Sequence, residues 1–261
     1  MTMSAFDFGS ATGYQLSGRL EIPSEPVRGW ALFAHCFTCG KDNLAAVRIV
    51  RALAESGIGT LRFDFAGLGK SGGEFGAEGF GADVADLVAA ARAMASDGKA
   101  PDLLVGHSLG GAAAIAAAVS LPMIKAVATI GTPFDVRHVL EQFDSASLSA
   151  IDAEGEADVQ LAGRQFHFRK SFIEDLRRHD QGARLAALGR PLLILHAPKD
   201  DTVGVDNASR IFLAARHPKS FVSLDGADHL LTKERDTRYV ADVIAAWASR
   251  YLGFRSAAPI S

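Results

Sequence analysis

The chain has little of what marks secreted proteins and membrane proteins. Only two of its 261 residues are cysteine, which is too few for a framework of disulfides. The longest apolar run, near residues 110–119, falls well short of the roughly 20 residues that a membrane-spanning helix needs. The opening residues, MTMSAFDFGS, contain neither the basic stretch nor the apolar stretch of a secretory signal. We therefore expect a cytoplasmic protein with no membrane partner.

Positive charge and metal-binding motifs are also scarce. Lys and Arg total 27 against 30 Asp and Glu, for a net charge of −3, and the basic residues do not cluster. This balance argues against a nucleic-acid partner. The histidines show neither an H-E-x-x-H motif nor paired spacing, and the glycine-rich residues 64–73 match no phosphate-binding loop. We predict that the protein uses no metal and no cofactor.

What the chain does contain is a regular alternation of two patterns. Short, nearly continuous apolar runs are typical of strands covered on both faces, and apolar residues at helical spacing separate them. Strands are predicted at 29–35, 59–63, 103–105, 126–130, 191–197 and 221–224, after an antiparallel edge hairpin formed by 6–8 and 14–22. Helices are predicted at 45–56, 79–95, after Gly110, 206–214 and 237–251. The alternation predicts an α/β fold with a mostly parallel, doubly wound sheet.

One segment, residues 134–187, interrupts this alternation. Helical pieces near 136–143 and 172–178 flank two alternating stretches, 157–161 and 165–168, which the turn Ala162-Gly163-Arg164 joins into a predicted hairpin. We predict one domain, with a core of residues 1–133 and 188–252 and a lid formed by the insertion. Residues 253–261 are expected to be a flexible tail.

The turn Gly106-His107-Ser108-Leu109-Gly110 lies between a predicted strand and an alanine-rich predicted helix. A serine in so sharp a bend needs glycine two positions away on each side, because a side chain there would collide with the neighbouring strand or helix. The bend lifts the hydroxyl above the sheet, and the first amides of the helix favour a developing negative charge. Ser108 is therefore the predicted nucleophile, and an ordinary strand–turn–helix junction is the alternative.

A serine hydroxyl becomes a good nucleophile only when a base takes its proton and an acid orients that base. The chain supplies both in loops that follow predicted strands. His229 follows the last strand, and no other histidine occupies that loop. Asp200 and Asp201 follow the preceding strand, and Asp200 is preferred because the spacing Asp-x-x-Val lets Val203 pack beneath the turn. Asp201 stays open as the alternative acid.

Together these motifs resemble those of the α/β-hydrolase superfamily, and the resemblance extends over essentially the whole chain. It rests on Gly106-His-Ser-Leu-Gly110, Asp64…Gly67-x-Gly69-x-Ser71, Asp200-x-x-Val203 and Gly226-Ala-Asp-His229. The resemblance implies an α/β-hydrolase fold in which Ser108 attacks a carbonyl, His229 shuttles the proton and Asp200 fixes the imidazole. It also implies an oxyanion hole at the main-chain amides of Phe37 and Leu109.

A narrower resemblance concerns residues 35–42 and 223–231. These stretches, HCFTCGKD and SLDGADHLL, are similar to the hydrolase half of bacterial two-part proteins, in which an OsmC-like peroxide-handling domain follows. The chain stops soon after its last predicted helix, so we expect only the hydrolase part here. The family usually has glycine where this chain has Cys36.

The combined motifs predict an enzyme that cleaves carboxylic esters with short-to-medium or aromatic acyl groups through an acyl-enzyme intermediate. Its predicted partner is a small-molecule ester, and a homo-oligomer is compatible with the sequence. Phe134, Phe166 and Phe168 are predicted to line an apolar acyl pocket, and the alternative is that they form the insertion's own core. The same triad also serves C–C bond hydrolases, amidases and perhydrolases, and these reactions stay open. A non-enzymatic, stress-linked binding role also stays open.

Cys36 and Cys39 form a C-x-x-C motif that brackets Phe37. The spacing is compatible with a redox-active pair, with half of a metal site, and with simple packing of two small residues. A disulfide would require the two Cα atoms to lie within about 7 Å and would tighten the turn around Phe37. We hypothesise that oxidation of this pair inactivates the enzyme reversibly.

Overall fold

The computed structural model describes residues 1–24 and 26–252. Its strands are β1 (Thr2–Ala5), β2 (Phe8–Gly9), β3 (Gln15–Leu16), β4 (Gly18–Ile22), β5 (Gly29–Ala34), β6 (Ile58–Phe63), β7 (Leu103–His107), β8 (Ala126–Ile130), β9 (Glu156–Leu161), β10 (Arg164–Arg169), β11 (Leu192–His196) and β12 (Lys219–Ser223). Its α-helices are α1 (Leu44–Glu55), α2 (Phe80–Ser96), α3 (Leu109–Ala118), α4 (Ser145–Glu154), α5 (Lys170–Arg177), α6 (Gln181–Ala187), α7 (Asp206–Ala214) and α8 (Glu234–Ala248). The predicted tail, residues 253–261, lies outside the described residues.

Eight of these strands form one sheet in the order β1-β4-β6-β5-β7-β8-β11-β12. The six strands at one end of this order, β6-β5-β7-β8-β11-β12, pair with one another in parallel. Strand β4 runs antiparallel to both of its neighbours, β1 and β6. All residues of β5, β6, β7, β8 and β11 are buried, as the continuous apolar runs predict. The predicted fold class, a mostly parallel sheet of the α/β-hydrolase type, is confirmed.

Helices cover both faces of the sheet. On one face α1 packs beside α8, and its apolar stripe includes Ile49 and Leu53. On the other face α2 packs beside α3, and every residue of α3 is buried. The alanines of α3 keep this helix thin enough to lie close to the sheet. Because α3 starts directly after β7, this packing brings the turn between them to the carboxyl edge of the central strands.

The predicted amino-terminal hairpin is arranged differently in the structure. Residues 18–22 pair with an edge strand, β1, which the sequence did not predict. The stretch 6–8 instead contributes to a separate two-stranded ribbon, in which Phe8 pairs with Leu16. All four residues of β1 are exposed, so this strand has no apolar pattern that sequence reasoning could detect.

The insertion between β8 and β11 contains a 3₁₀ helix (Val136–Gln142), α4, the strands β9 and β10, α5 and α6. The predicted hairpin is present, with Phe166 opposite Val159 and Phe168 opposite Ala157. Helices α4 and α6 were not predicted, and α4 lacks an apolar stripe because it buries only Ile151. Its ends did carry a signal in the sequence, since Asp144 caps the first turn and Gly155 adopts a left-handed conformation after the last.

Polar contacts attach the insertion to the sheet-covering helices. The Asp175 carboxylate of α5 accepts a hydrogen bond of 2.9 Å from the Gly81 amide in the first turn of α2. Gln181 of α6 donates a hydrogen bond of 2.9 Å to the carbonyl of Ala112 in α3. In the described part of the chain, no helix combines the length and the apolar composition needed to cross a bilayer.

Asp86 on α2 is a buried carboxylate that we expect to make the stability of the protein depend on pH. Its side chain is 3% exposed and accepts a hydrogen bond of 3.0 Å from the Ala66 amide. Burial raises its pKa to about 6. The ordinary pKa of an aspartate is 3.8, so between pH 3.8 and about pH 6 the folded protein keeps a proton on Asp86 that the unfolded protein releases. The unfolding free energy contributed by this group falls as the pH rises through that window, by about 3 kcal/mol in all.

Substitution of this carboxylate tests the expectation. Asp86→Asn keeps an oxygen that accepts from the Ala66 amide and carries no charge, so it should raise the free energy of unfolding at pH 7 to 8 by about 1–3 kcal/mol. The gain should vanish near pH 4, where the folded wild type is already protonated. Urea unfolding at both pH values measures the difference, with Asp242→Asn on the exposed face of α8 as the control. Equal stability of Asp86→Asn and the wild type at pH 8 would contradict the assignment.

Candidate active site

Ser108 occupies the turn between β7 and α3 in a strained backbone conformation. Its φ angle is +55°, a region that residues other than glycine rarely adopt. Its amide donates to the carbonyl of Ile130 at 2.8 Å, which fixes the turn to the neighbouring strand β8. A Cβ atom at Gly106 would lie 2.3 Å from the Gly110 carbonyl oxygen, and one at Gly110 would lie 2.3 Å from the His35 carbonyl oxygen. The steric reason for the two glycines of this turn is thus confirmed.

Ser108, His229 and Asp200 form a hydrogen-bonded chain at this edge of the sheet. The Nε2 atom of His229 lies 3.1 Å from Ser108 Oγ, and its Nδ1 atom lies 2.7 Å from Asp200 Oδ2. The three residues are between 7% and 8% exposed. A carboxylate only accepts hydrogen bonds, so His229 Nδ1 carries the proton and Nε2 is free to take one from the serine. The structure therefore brings the predicted nucleophile, base and acid within reach of one another.

Of the two adjacent aspartates, it is Asp200 that contacts His229. Its Oδ1 atom accepts hydrogen bonds from the Val203 amide at 2.8 Å and the Thr202 amide at 3.0 Å. Burial alone would raise the pKa of Asp200, but the hydrogen bonds from His229 and these amides outweigh it and leave the pKa below its usual value. Val203 is 1% exposed beneath the turn, whereas Asp201 is exposed and accepts a hydrogen bond from the Thr202 hydroxyl at 3.4 Å.

The predicted oxyanion donors are the main-chain amides of Phe37 and Leu109. Among the described residues, neither amide donates a hydrogen bond to the protein. The carbonyl of Cys36, which shares a peptide unit with the Phe37 amide, accepts from His35 Nδ1 at 2.9 Å and from the Cys39 amide at 3.1 Å. Because a trans peptide is planar, its N–H points away from its carbonyl, and these two contacts therefore fix the direction of the Phe37 N–H. Both predicted donors are free to bind a negative oxygen.

Further contacts hold the loop that contains Phe37. Cys36 and Cys39 are joined by a disulfide with their Cα atoms 5.3 Å apart, so the distance that a bridge requires is met. At the end of the loop the buried ammonium of Lys41 lies 2.5 Å from the Asp64 carboxylate. The guanidinium of Arg164, at the turn of the β9–β10 hairpin, donates to the carbonyl of Thr38. A bridge within the loop and contacts from two other parts of the chain thus restrain this loop.

Inactivation through the Cys36–Cys39 pair stays a prediction. Peroxide would take two thiols to the disulfide with release of two molecules of water, and the bridge would restrain the turn that presents the Phe37 amide. We expect peroxide to lower kcat several-fold, dithiothreitol followed by desalting to restore it, and Cys39→Ser to be insensitive to both. Thiol titration beside the rate measurement reports the state of the pair. Full activity of the wild type with the bridge formed would contradict oxidative inactivation.

The three phenylalanines predicted to bind substrate occupy different surroundings. Phe168 is fully buried, and its ring lies 4.7 Å from that of Phe143 and 4.9 Å from that of Phe172, which is a packing position. Phe166 is partly exposed on a cleft of about 450 Å³, which Ser108 and His229 do not line. Phe134 is partly exposed, and the Arg210 guanidinium lies 4.3 Å from the centre of its ring.

Two residues close to the triad were not given roles from the sequence. Gly131 follows β8 with a φ angle of +54°, and a Cβ atom there would lie 3.3 Å from both Asp200 Oδ2 and His229 Nδ1. Its lack of a side chain leaves room for the bond between acid and base, and a glycine directly after a buried strand was the available signal. His107, the residue before the nucleophile, donates to the main-chain carbonyl of His229. Within residues 1–24 and 26–252, no group of three or more His, Cys, Asp or Glu side chains is placed to hold a metal ion.

Comparisons with known proteins place this geometry in context. The model of a family described as the alpha/beta hydrolase family matches residues 31–243. The chain is similar to the crystal structure of the esterase domain from a Rhodothermus marinus protein, with 44% identity, a TM-score of 0.79, and coverage of 97% of this chain and 100% of that one. It also shares its fold with Est1E from Butyrivibrio proteoclasticus, solved with ferulic acid bound, at 20% identity, a TM-score of 0.82, and coverage of 95% and 99%. A dienelactone hydrolase from Anabaena variabilis is similar at 18% identity, a TM-score of 0.69, and coverage of 96% and 98%. No curated protein matches the chain significantly.

Proposed function

The chain belongs to the alpha/beta hydrolase family, and on that premise we propose that it is a serine hydrolase that cleaves carboxylic esters through an acyl-enzyme intermediate. The observation that carries the proposal is the hydrogen-bonded chain from Ser108 through His229 to Asp200. Each of these three residues has the chemistry that its position requires. Ser108 has a hydroxyl that attacks, His229 has an imidazole that takes the proton, and Asp200 has a carboxylate that orients the imidazole.

In the proposed reaction Ser108 Oγ attacks the ester carbonyl while His229 Nε2 takes the hydroxyl proton. The Asp200 carboxylate stabilises the imidazolium that forms, and the amides of Phe37 and Leu109 bind the negative oxygen of the tetrahedral intermediate. His229 then returns the proton to the departing alcohol, which leaves an ester between Ser108 and the acyl group. Water repeats the sequence, with His229 again as base, and releases the acid. Loss of one oxyanion donor of this kind typically costs about 3–4 kcal/mol of transition-state stabilisation.

The similar structures support the choice of an ester over the other bonds that such a triad cleaves. The structure 44% identical to this chain is described as an esterase domain, and Est1E was solved with ferulic acid, an aromatic acid, bound. The description of the first of these structures as one domain of a protein is also compatible with a two-part arrangement that includes an OsmC-like domain.

Two measurements test the proposal. A fluorophosphonate probe should label Ser108, because the reagent reacts with activated serines and needs no substrate pocket of the right shape. A panel of p-nitrophenyl esters from acetate to laurate, with methyl ferulate beside them, should then show the highest kcat/KM for short-to-medium or aromatic acyl groups. A protein that the probe labels but that cleaves the matching amides or C–C bonds faster than any ester would overturn the ester assignment. Absence of labelling would instead favour a binding role.

The role of the insertion in substrate choice is tested by a matched pair of substitutions. Phe166→Ala removes a partly exposed ring and should change the chain-length profile of kcat/KM. Phe168→Ala removes a fully buried ring and should lower the free energy of unfolding by about 3–5 kcal/mol. If both variants keep the wild-type profile and differ only in stability, the ring of Phe166 serves packing alone.

A further inference from the structure

The side chain of His107 reaches the catalytic base from the strand that carries the nucleophile. His107 is the last residue of β7 and precedes Ser108 directly. Its imidazole is 3% exposed, and its Nε2 atom lies 2.8 Å from the main-chain carbonyl oxygen of His229. The two imidazole rings also lie side by side, with their centres 5.3 Å apart. One buried side chain therefore touches both the main chain and the ring of the predicted base.

The chemistry of this contact fixes the form of the imidazole. A carbonyl oxygen only accepts hydrogen bonds, so Nε2 of His107 carries the proton that it donates. Burial, together with the neighbouring His229, lowers the pKa of His107 to about 4. The ring is therefore neutral at neutral pH and adds no positive charge beside the imidazolium that His229 forms during the reaction.

The hydrogen bond from His107 is the one polar contact on the main chain of His229. Among the described residues, neither the amide nor the carbonyl of His229 has another hydrogen-bond partner. Nearby in the loop, the amides of Leu231 and Thr232 donate to the carbonyl and the side chain of Asp228, and the Thr232 carbonyl accepts from Arg48 of α1 at 3.0 Å. Besides the side-chain bonds of His229 to Ser108 and Asp200, this bond between residues 122 positions apart links the His229 main chain to the residue before the nucleophile.

We propose that His107 is a positioning residue, whose hydrogen bond to the His229 carbonyl holds the imidazole of the base at the distance from Ser108 that proton transfer requires. The inference rests on the proposed function, because it assigns His107 a task only if His229 is the base. Proton transfer needs donor and acceptor within hydrogen-bond distance, and a displacement of about 1 Å can cost roughly 100-fold in rate. The link joins base and nucleophile through adjacent residues, because His107 ends β7 and Ser108 follows it in the turn, so the two move together.

Three substitutions of matched shape test this role. The amide nitrogen of glutamine is separated from Cβ by as many bonds as Nε2 of histidine, so His107→Gln can still reach the His229 carbonyl. The asparagine side chain is one bond shorter, so His107→Asn cannot, and His107→Leu has no donor. We expect His107→Gln to keep kcat within about fivefold of the wild type. His107→Asn and His107→Leu should lower kcat by about 10–100-fold with KM within about twofold.

The rate of fluorophosphonate labelling of Ser108 should follow the same order, since it measures the serine and its base without an ester substrate. His179→Leu, a partly buried histidine that bonds to Asp175 instead, controls for lost stability and should keep the wild-type labelling rate. Wild-type labelling rates in His107→Asn and His107→Leu would overturn the inference, as would equal losses in His107→Asn and His107→Gln. Labelling that follows the expected order in a protein that cleaves no ester would sustain the role of His107 and overturn the ester proposal. No labelling of the wild type would overturn both.

Discussion

Replacement of Ser108 by alanine is expected to abolish ester cleavage while leaving the protein folded. Loss of the nucleophile removes the acyl-enzyme route, so kcat should fall by at least about 10⁴-fold, to what the oxyanion amides and substrate binding provide alone. Within residues 1–24 and 26–252 the hydroxyl makes a single hydrogen bond, the one of 3.1 Å to His229, so the melting temperature should change by no more than a few degrees.

Ser120→Ala is a suitable control for this substitution. Ser120 lies just beyond the other end of α3, and its hydroxyl donates to the carbonyl of Ala117 at 3.3 Å. The two variants lose the same atom at opposite ends of one helix, and only the change at Ser108 should affect kcat or labelling by the fluorophosphonate. Residual turnover of Ser108→Ala within tenfold of the wild type, in protein free of the parent enzyme, would contradict its assignment as nucleophile.

The second large effect is expected at the acid. Asp200→Asn keeps the shape of the side chain but presents an amide nitrogen that donates where the carboxylate accepted. His229 then places its proton on Nε2 and cannot take one from Ser108, which elsewhere lowers kcat by about 10⁴-fold. We expect a loss of 10³- to 10⁴-fold here. Rates should be measured with the preferred ester across pH 6 to 9, and circular dichroism should verify that the variant is folded.

Asp201→Asn is the matched control, because it makes the same chemical change one residue away. Asp201 is exposed, and its carboxylate accepts a hydrogen bond from the hydroxyl of Thr202 at 3.4 Å, so kcat should stay within about twofold of the wild type. A large loss in Asp201→Asn together with a mild one in Asp200→Asn would show that the acid is the neighbouring residue. Equal, mild effects would show that the base works without an orienting carboxylate.

Features that depend on neighbouring residues in the chain were predictable from the sequence. The turn around Ser108 is one of them, because a side chain at Gly106 would collide with Gly110 and Gly111 just after it in the chain. The parallel sheet is another, since strands covered on both faces need continuous apolar runs, whatever their partners are. Where a segment lacked such a pattern it was missed, as the wholly exposed β1 and the mostly exposed α4 illustrate.

The same distinction applies to the residues of the candidate site. By itself, the sequence determined the nucleophile turn, the strand ends where an acid and a histidine follow, and the alternation that brings those ends to one edge of the sheet. The tertiary structure decided that Asp200 and not Asp201 faces His229, that Phe168 is buried while Phe166 is partly exposed, and that Gly131 and His107 lie against the triad. The physical reason is that these outcomes depend on side-chain direction and on contacts between residues far apart in the chain. Ser108 and His229 are 121 positions apart, and contacts between distant parts of the chain bring them to the 3.1 Å that joins them.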